Sequence, residues 1–133
     1  MSDYLKPNLS DELTTISNLG LAHVGDAVFE LMVRTWLCMT GTSKAKNLHN
    51  KAVSMVSAKA QAAAADKILT ILNEEETAVF KRGRNLHAGT VPKGSTHEEY
   101  HAATGMESLF GYLYIRGETE RLNSLFEFIV GDN

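Results

Sequence analysis

Asp26 and Glu107 are the side chains whose surroundings make them candidates for chemistry. Asp26 lies in LAHVGDAVFELMVR (Leu21–Arg34), where helical spacing gathers His23, Asp26, Glu30 and Arg34 within about a quarter of the circumference. Leu21, Val24, Val28, Leu31 and Trp36 fill much of the rest of that helix. Glu107 is the only formally charged side chain in YHAATGMESLFGYLYI (Tyr100–Ile115). A carboxylate on a helix that reads as buried on most sides is costly unless something neutralises it. Two such acids on two apolar helices point to one shared cation. Ligation by oxygen alone suits a hard divalent ion, Mg²⁺ or Mn²⁺. Such an ion activates water and stabilises charge on a phosphoryl group. The competing reading makes both acids structural, held by hydrogen bonds or by Arg34, because buried charges must be paired but need not catalyse.

The two acids are remote in the chain, so only tertiary packing can join them. Both helices carry small residues that let backbones approach: Ala22, Gly25 and Ala27 on the first, Ala103, Thr104, Gly105, Ser108 and Gly111 on the second. Helical punctuation dominates, and no stretch alternates with period two for long enough to make a strand. Ser10 caps a short helix to about Ser17. The apolar helix starts at Asn18 or Leu19 and ends near Thr40, with Gly41 placed for the left-handed turn after it. Ser43 starts a short helix through Lys51, and an alanine-rich helix from Val53 to about Leu72 follows or continues from it. Asn73 with Glu76 forms a capping-box pattern opening a helix to about Leu86. His87–Ser95, with Gly89, Pro92 and Gly94, reads as an exposed loop. Thr96 with Glu99 opens the Glu107 helix, which runs to about Arg116; Gly117 breaks it, and Glu118–Val130 forms a last amphipathic helix. The expected fold is all-α, with six or seven helices.

The chain has 133 residues and a mass of 14.6 kDa, which suits one domain spanning 1–133 with its core at about 18–125. A single cysteine and five scattered histidines provide no zinc-ligand spacing. Cys38 reads as a small buried hydrophobe in a reducing compartment, hence a cytoplasmic location. The first twenty residues lack a secretory pattern, and no apolar run reaches the ~18 residues of a membrane span. A net charge of −3 is not the footprint of a nucleic-acid binder as a whole. The basic residues can still act locally, and Lys81–Arg84 (KRGR) is their densest cluster.

LAHVGDAVFE (Leu21–Glu30) and GMESLFGYLY (Gly105–Tyr114) resemble the two metal-binding helices of the ribonuclease III catalytic domain. AKNLHNKAVSMVSAKAQA (Ala45–Ala62), EEETAVFKRGRN (Glu74–Asn85) and GTVPK (Gly89–Lys93) are similar to its Mini-ribonuclease III branch, in which that domain stands alone. The resemblance spans roughly Asn18–Leu125, with the motifs in order. It implies that Asp26 is the catalytic and metal-binding aspartate and Glu107 the metal-binding glutamate. It also implies Mg²⁺-dependent cleavage of double-stranded RNA by a homodimer, with maturation of the ends of the 23S ribosomal RNA precursor and 5′-phosphate products. A ribosomal protein on that precursor is a candidate partner, and no membrane is involved. Broader ribonuclease III sequences carry further acids where this chain has Ala22 and Thr104, so one metal per site is the economical expectation.

Around that pair, Glu30 either supports a metal-bound water from outside the ligand set or forms an i, i+4 bridge to Arg34. His23 reads as a site-wall or interface residue. Gly83 is costly in a helix and implies close backbone approach to something. Lys81, Arg82, Arg84 and Asn85, with Lys93 in the loop, are the expected RNA contacts, since A-form duplexes are gripped through backbone and 2′-hydroxyls. Tyr100, Phe110, Tyr112, Tyr114, Phe126 and Phe128 read as core or dimer interface. Two rivals stand beside this reading. One is a catalytically inactive ribonuclease III-like protein that binds RNA or assists ribosome assembly. The other is a nucleotide pyrophosphohydrolase, whose acids cluster within one helix as neither candidate helix here does.

Overall fold

A computed structural model describes residues 3–9, 15–42, 44–86 and 91–131. Six helices follow in chain order: α1 (Asn18–Met39), α2 (Ala45–Val56), α3 (Ala58–Ile68), α4 (Glu74–Arg84), α5 (His97–Ile115) and α6 (Thr119–Val130). No strand occurs among the described residues. The helix expected from Ser10 falls for the most part on residues 10–14, outside those described, as does His87–Thr90 of the expected loop.

The helix ends follow from local chemistry. Ser17 Oγ accepts from the Gly20 amide at 2.9 Å and starts α1. At the other end Gly41 takes φ +96°, and the Thr42 and Gly41 amides reach the Leu37 and Cys38 carbonyls at 3.0 and 3.3 Å. This is a Schellman closure. Gly117, at φ +76°, closes α5 in the same way, with Glu118 and Gly117 amides on the Leu113 and Tyr114 carbonyls. Both expected capping boxes are present, Asn73 with Glu76 and Thr96 with Glu99.

Two boundaries differ from expectation. Helix α2 runs straight through Ala52 and Val53 to Val56, and the break falls at Ser57. Ser57 is extended (ψ 155°) and its Oγ accepts from the Ala60 amide at 3.1 Å. A serine cap outweighs the continuous helix propensity around it. The following helix stops at Ile68 rather than Leu72, where the Ile71 amide turns back to the Ile68 carbonyl at 2.9 Å.

Helix α5 is the hub, packed by α1, α3, α4 and α6. Met106, Leu109, Phe110 and Leu113 on it are almost wholly inaccessible. The Phe110 ring meets Phe29 edge-on at 5.4 Å, and Phe126 completes the cluster at 6.0 Å from Phe29. Tyr112 and Phe126 are buried as well, whereas Tyr100, Tyr114 and Phe128 are half-buried. Glu76 closes its capping box and is also held by Arg121, Nε to Oε2 and Nη2 to Oε1, both at 2.8 Å. Burial pushes the Glu76 carboxyl up, but the Arg121 bonds, the Asn73 amide and the Arg121 charge outweigh it and hold it below the usual range.

Two expectations about α1 are corrected. Cys38 is exposed, not buried, and Leu31 is 62% exposed. The helix packs only along the side carrying Leu21, Ala22, Gly25, Val28, Phe29, Val33 and Leu37. Ala27, Leu31 and Cys38 share the opposite face by helical spacing, and all three are exposed.

Candidate active site

The site exists because two helices touch backbone to backbone. A Cβ added at Gly25 would stand 1.6 Å from the Glu107 carbonyl oxygen and 2.7 Å from the Gly111 amide nitrogen. One added at Gly111 would stand 1.9 Å from the Leu21 carbonyl oxygen. Only glycine permits so close a crossing. Asp26 follows Gly25 directly, so the crossing that admits the Glu107 backbone also presents the two carboxyl groups to one another.

Their side chains are in hydrogen-bond contact. Asp26 is exposed and Glu107 half-buried, so the burial expected for Asp26 falls on Glu107 instead. The Glu107 carboxyl is pushed up to about 8 by burial first, then by its contact with Asp26 and by the Asp26 charge; the Gln61 amide opposes the rise. Two acids sharing one place cannot both ionise cheaply.

The linkage has a definite sign. Between the usual carboxylate range and about pH 8, folded Glu107 holds a proton that the unfolded chain releases. Stability of the metal-free protein therefore falls as pH rises through that window. With chelator present, Glu107→Gln raises the melting temperature by several degrees at pH 8.5 and by much less at pH 4.5. Equal shifts in thermal denaturation at the two pH values would show that the carboxyl is not strained in this way.

The other expected residues are placed as follows. Glu30 bridges Arg34 at 2.7 Å with both side chains largely open to solvent, a pair worth a few tenths of a kcal/mol. His23 is exposed. Lys81, Arg82, Arg84, Asn85 and Lys93 are all exposed. Gly83 does make a close approach, and its partner is α5: a Cβ there would stand 2.3 Å from Ser108 Oγ and 3.1 Å from the Gly105 Cα. With Gly83 pointing inward, helical spacing aims Lys81 outward and sets Arg82 and Arg84 on either flank.

One residue went unmarked in the sequence. Gln61 on α3 is 2% exposed, and its amide is among the groups that act on the Glu107 carboxyl. Its signal is a lone amide on the inward stripe Gln61, Ala64, Ala65, Ile68, where helical packing ordinarily places apolar residues.

Among the described residues no group of three His, Cys, Asp or Glu side chains could hold a metal ion. The donor set is therefore a carboxylate pair. That fits a small hard cation completing its shell with water and substrate oxygen, and it does not fit zinc.

A Ribonuclease III domain model matches residues 19–118. The chain belongs to the ribonuclease III family. It is similar to the Mini-ribonuclease 3 of Thermoanaerobacter sp. (strain X514), 43% identical over 116 residues, which are 87% of this chain and 82% of that protein. It is also similar to the Mini-ribonuclease 3 of Clostridium tetani, 39% identical over 120 residues, 90% of this chain and 80% of that one. An X-ray crystal structure of a Fusobacterium nucleatum protein matches with a TM-score of 0.81 at 30% identity, covering 91% of this chain and 97% of that one. These likenesses put the chain in the Mini-ribonuclease III branch, and membership makes it an endoribonuclease. Of the two positions where broader ribonuclease III sequences carry acids, Ala22 is buried and Thr104 turns its hydroxyl to the Tyr100 carbonyl at 3.0 Å. Neither adds a carboxylate to the pair. No helix among the described residues is long and apolar enough to cross a membrane.

Proposed function

We propose that this ribonuclease III domain cleaves double-stranded RNA with Mg²⁺, or Mn²⁺ in its place, held by Asp26 and Glu107. The convergence of those two carboxyls at the α1–α5 crossing carries the reading. When bound, the ion supplies charge neutralisation at the scissile phosphate and an activated water. The protein's own part is geometric. Glu107 is anchored by burial, and Asp26 faces the solvent side where a phosphate can arrive. Glu30 is left a supporting role, forming with Arg34 a charged wall one turn from Asp26. The products carry 5′-phosphate and 3′-hydroxyl ends. Incubating the purified chain with long double-stranded RNA tests this: cleavage with Mg²⁺ that chelator stops supports the reading, and cleavage indifferent to chelator sinks it.

The RNA grip we assign to Lys81, Arg82, Arg84, Asn85 and Lys93, all of them open to solvent. Lys81 and Arg84 are helix neighbours on one face. Replacing both by Ala weakens duplex binding evenly across sequences and lowers the salt slope of log K by about 2. An unchanged slope in binding titrations at several salt concentrations would remove them from the interface.

A homodimer is supported by the exposed α1 face of Ala27 and Leu31, beside the site. The aromatic final third is a weaker candidate, because Phe110, Tyr112 and Phe126 are spent on the core. Leu31→Glu yields a monomer by sedimentation if this face is the interface; a persisting dimer sends the interface elsewhere. The cellular substrate implied by the family is the 23S ribosomal RNA precursor in the cytoplasm, matured at both ends, with a ribosomal protein on that precursor as a candidate partner.

A further inference from the structure

Between α1 and α2 lies a cavity of about 410 Å³. Its floor is apolar, made by Leu37 of α1 with Leu48, Ala52 and Val56 of α2. Its rim is polar, with Glu30 and Arg34 on the α1 side and His49 on the α2 side. Leu37 and Ala52 are buried, whereas Arg34 and His49 are exposed. Val53, on the α2 wall, is 52% exposed, so the hollow opens to solvent. Glu30 stands one turn after Asp26, which starts the cavity about 6 Å along the axis from the carboxylate pair.

The cations beside it have no acid to answer them on their own helix. Helix α2 reads AKNLHNKAVSMV, with Lys46 and Lys51 and no carboxylate, in a chain of net charge −3. Among the described residues neither lysine is in an ion pair. Lys46 is exposed and stands one turn before His49 and two before Val53, along the same edge of the groove. Arg34 is held by Glu30 through Nη2 at 2.7 Å, which leaves further guanidinium donors for a second anion. An apolar hollow with cations at its lip suits a nucleotide, a flat base with a phosphate beside it. Inside a duplex the base is out of reach, because stacking covers its faces. A nucleotide bulged from the helix presents one.

We propose that the α1–α2 groove is a subsite for one unpaired nucleotide of the RNA: its base enters the hollow over Leu37 and Ala52, and its phosphate meets Arg34, His49 and Lys46. The inference rests on double-stranded RNA being the substrate. It adds that the protein distinguishes a duplex carrying a bulged base from a fully paired one. Because the hollow starts one turn from Asp26, the docked base fixes where the strand crosses the carboxylates.

The full chain is titrated in chelator with two RNA duplexes of equal length, one fully paired and one with a single bulged 2-aminopurine. The parent protein binds the bulged duplex more tightly, by about fivefold or more, and the 2-aminopurine emission changes on binding. With Mg²⁺ added, cuts gather at a fixed spacing from the bulge. Val53→Glu puts a negative charge on the groove wall, and Ala45→Glu, at another exposed lining position, does the same near the start of α2. Either charge weakens both duplexes through its field, so the ratio of the two affinities is the readout. The bulge preference disappears in both variants while the melting temperature changes little. A parent that binds both duplexes alike overturns the proposal and leaves the groove to another ligand, such as an acidic peptide. A bulge preference that survives both substitutions overturns it too. Failure of the underlying reading looks different. If neither duplex is bound, the substrate reading falls and the subsite with it; if the paired duplex is bound and cut but the bulge is ignored, only the subsite falls.

Discussion

Asp26→Asn stops RNA cleavage while leaving duplex binding intact. The change keeps the size and shape of the side chain and removes one of the two carboxyl groups at the crossing. Because Asp26 is exposed and its backbone is set by Gly25, the crossing itself is undisturbed. With one carboxylate left, cation affinity collapses, and the loss of charge stabilisation at the phosphate lowers the rate by at least ~10²–10³-fold. Removing the Asp26 charge also relieves Glu107, whose carboxyl moves back down toward its usual range. The metal-free variant is therefore no less stable than the parent, so loss of activity does not reflect loss of fold. Single-turnover cleavage and a gel-shift binding curve on the same duplex give the answer. Cleavage at parent rates by Asp26→Asn would remove the residue from the site.

The second large effect is on stability. Gly25→Ala drives a methyl into the Glu107 carbonyl, an encounter at 1.6 Å with backbone that no side-chain rotation can relieve. Helix α1 must then lift from α5 along the main seam of the core, loosening the packing of Phe29 on Phe110. Overpacking of this severity costs about 3 kcal/mol or more, and the melting temperature falls by roughly 10 °C or more. It also parts Asp26 from Glu107, so whatever folds cuts poorly. The contrast is Gly41→Ala: nothing lies within 4 Å of a Cβ there, and its cost is confined to the positive φ, about 1 kcal/mol. A Gly25→Ala melting temperature equal to that of Gly41→Ala would show that the helices do not cross so tightly.

Gly83 shows how far sequence reasoning reaches. A glycine inside a basic helix announces a close approach, and the approach is real. Nothing local says whether the neighbour is RNA or protein; the structure puts Ser108 and Gly105 there. Cys38 and Leu31 went the other way. Their apolar character suggested burial, yet helix α1 has more apolar surface than the described residues cover, and composition does not say which side is left over.

What the sequence determined alone was local: helix starts at Asn73 and Thr96, stops at Gly41 and Gly117, and two solitary acids on apolar helices. Those features depend on hydrogen bonds within a few residues, so neighbouring letters suffice to specify them. The tertiary structure alone decided that Gly25 and Gly111 meet, that Glu107 rather than Asp26 bears the burial, and that Gln61 is buried on a third helix. Contacts between distant segments depend on how whole faces pack and on how a turn such as Ser57 redirects the chain. A side chain's spacing along its own helix carries no record of its neighbour on another.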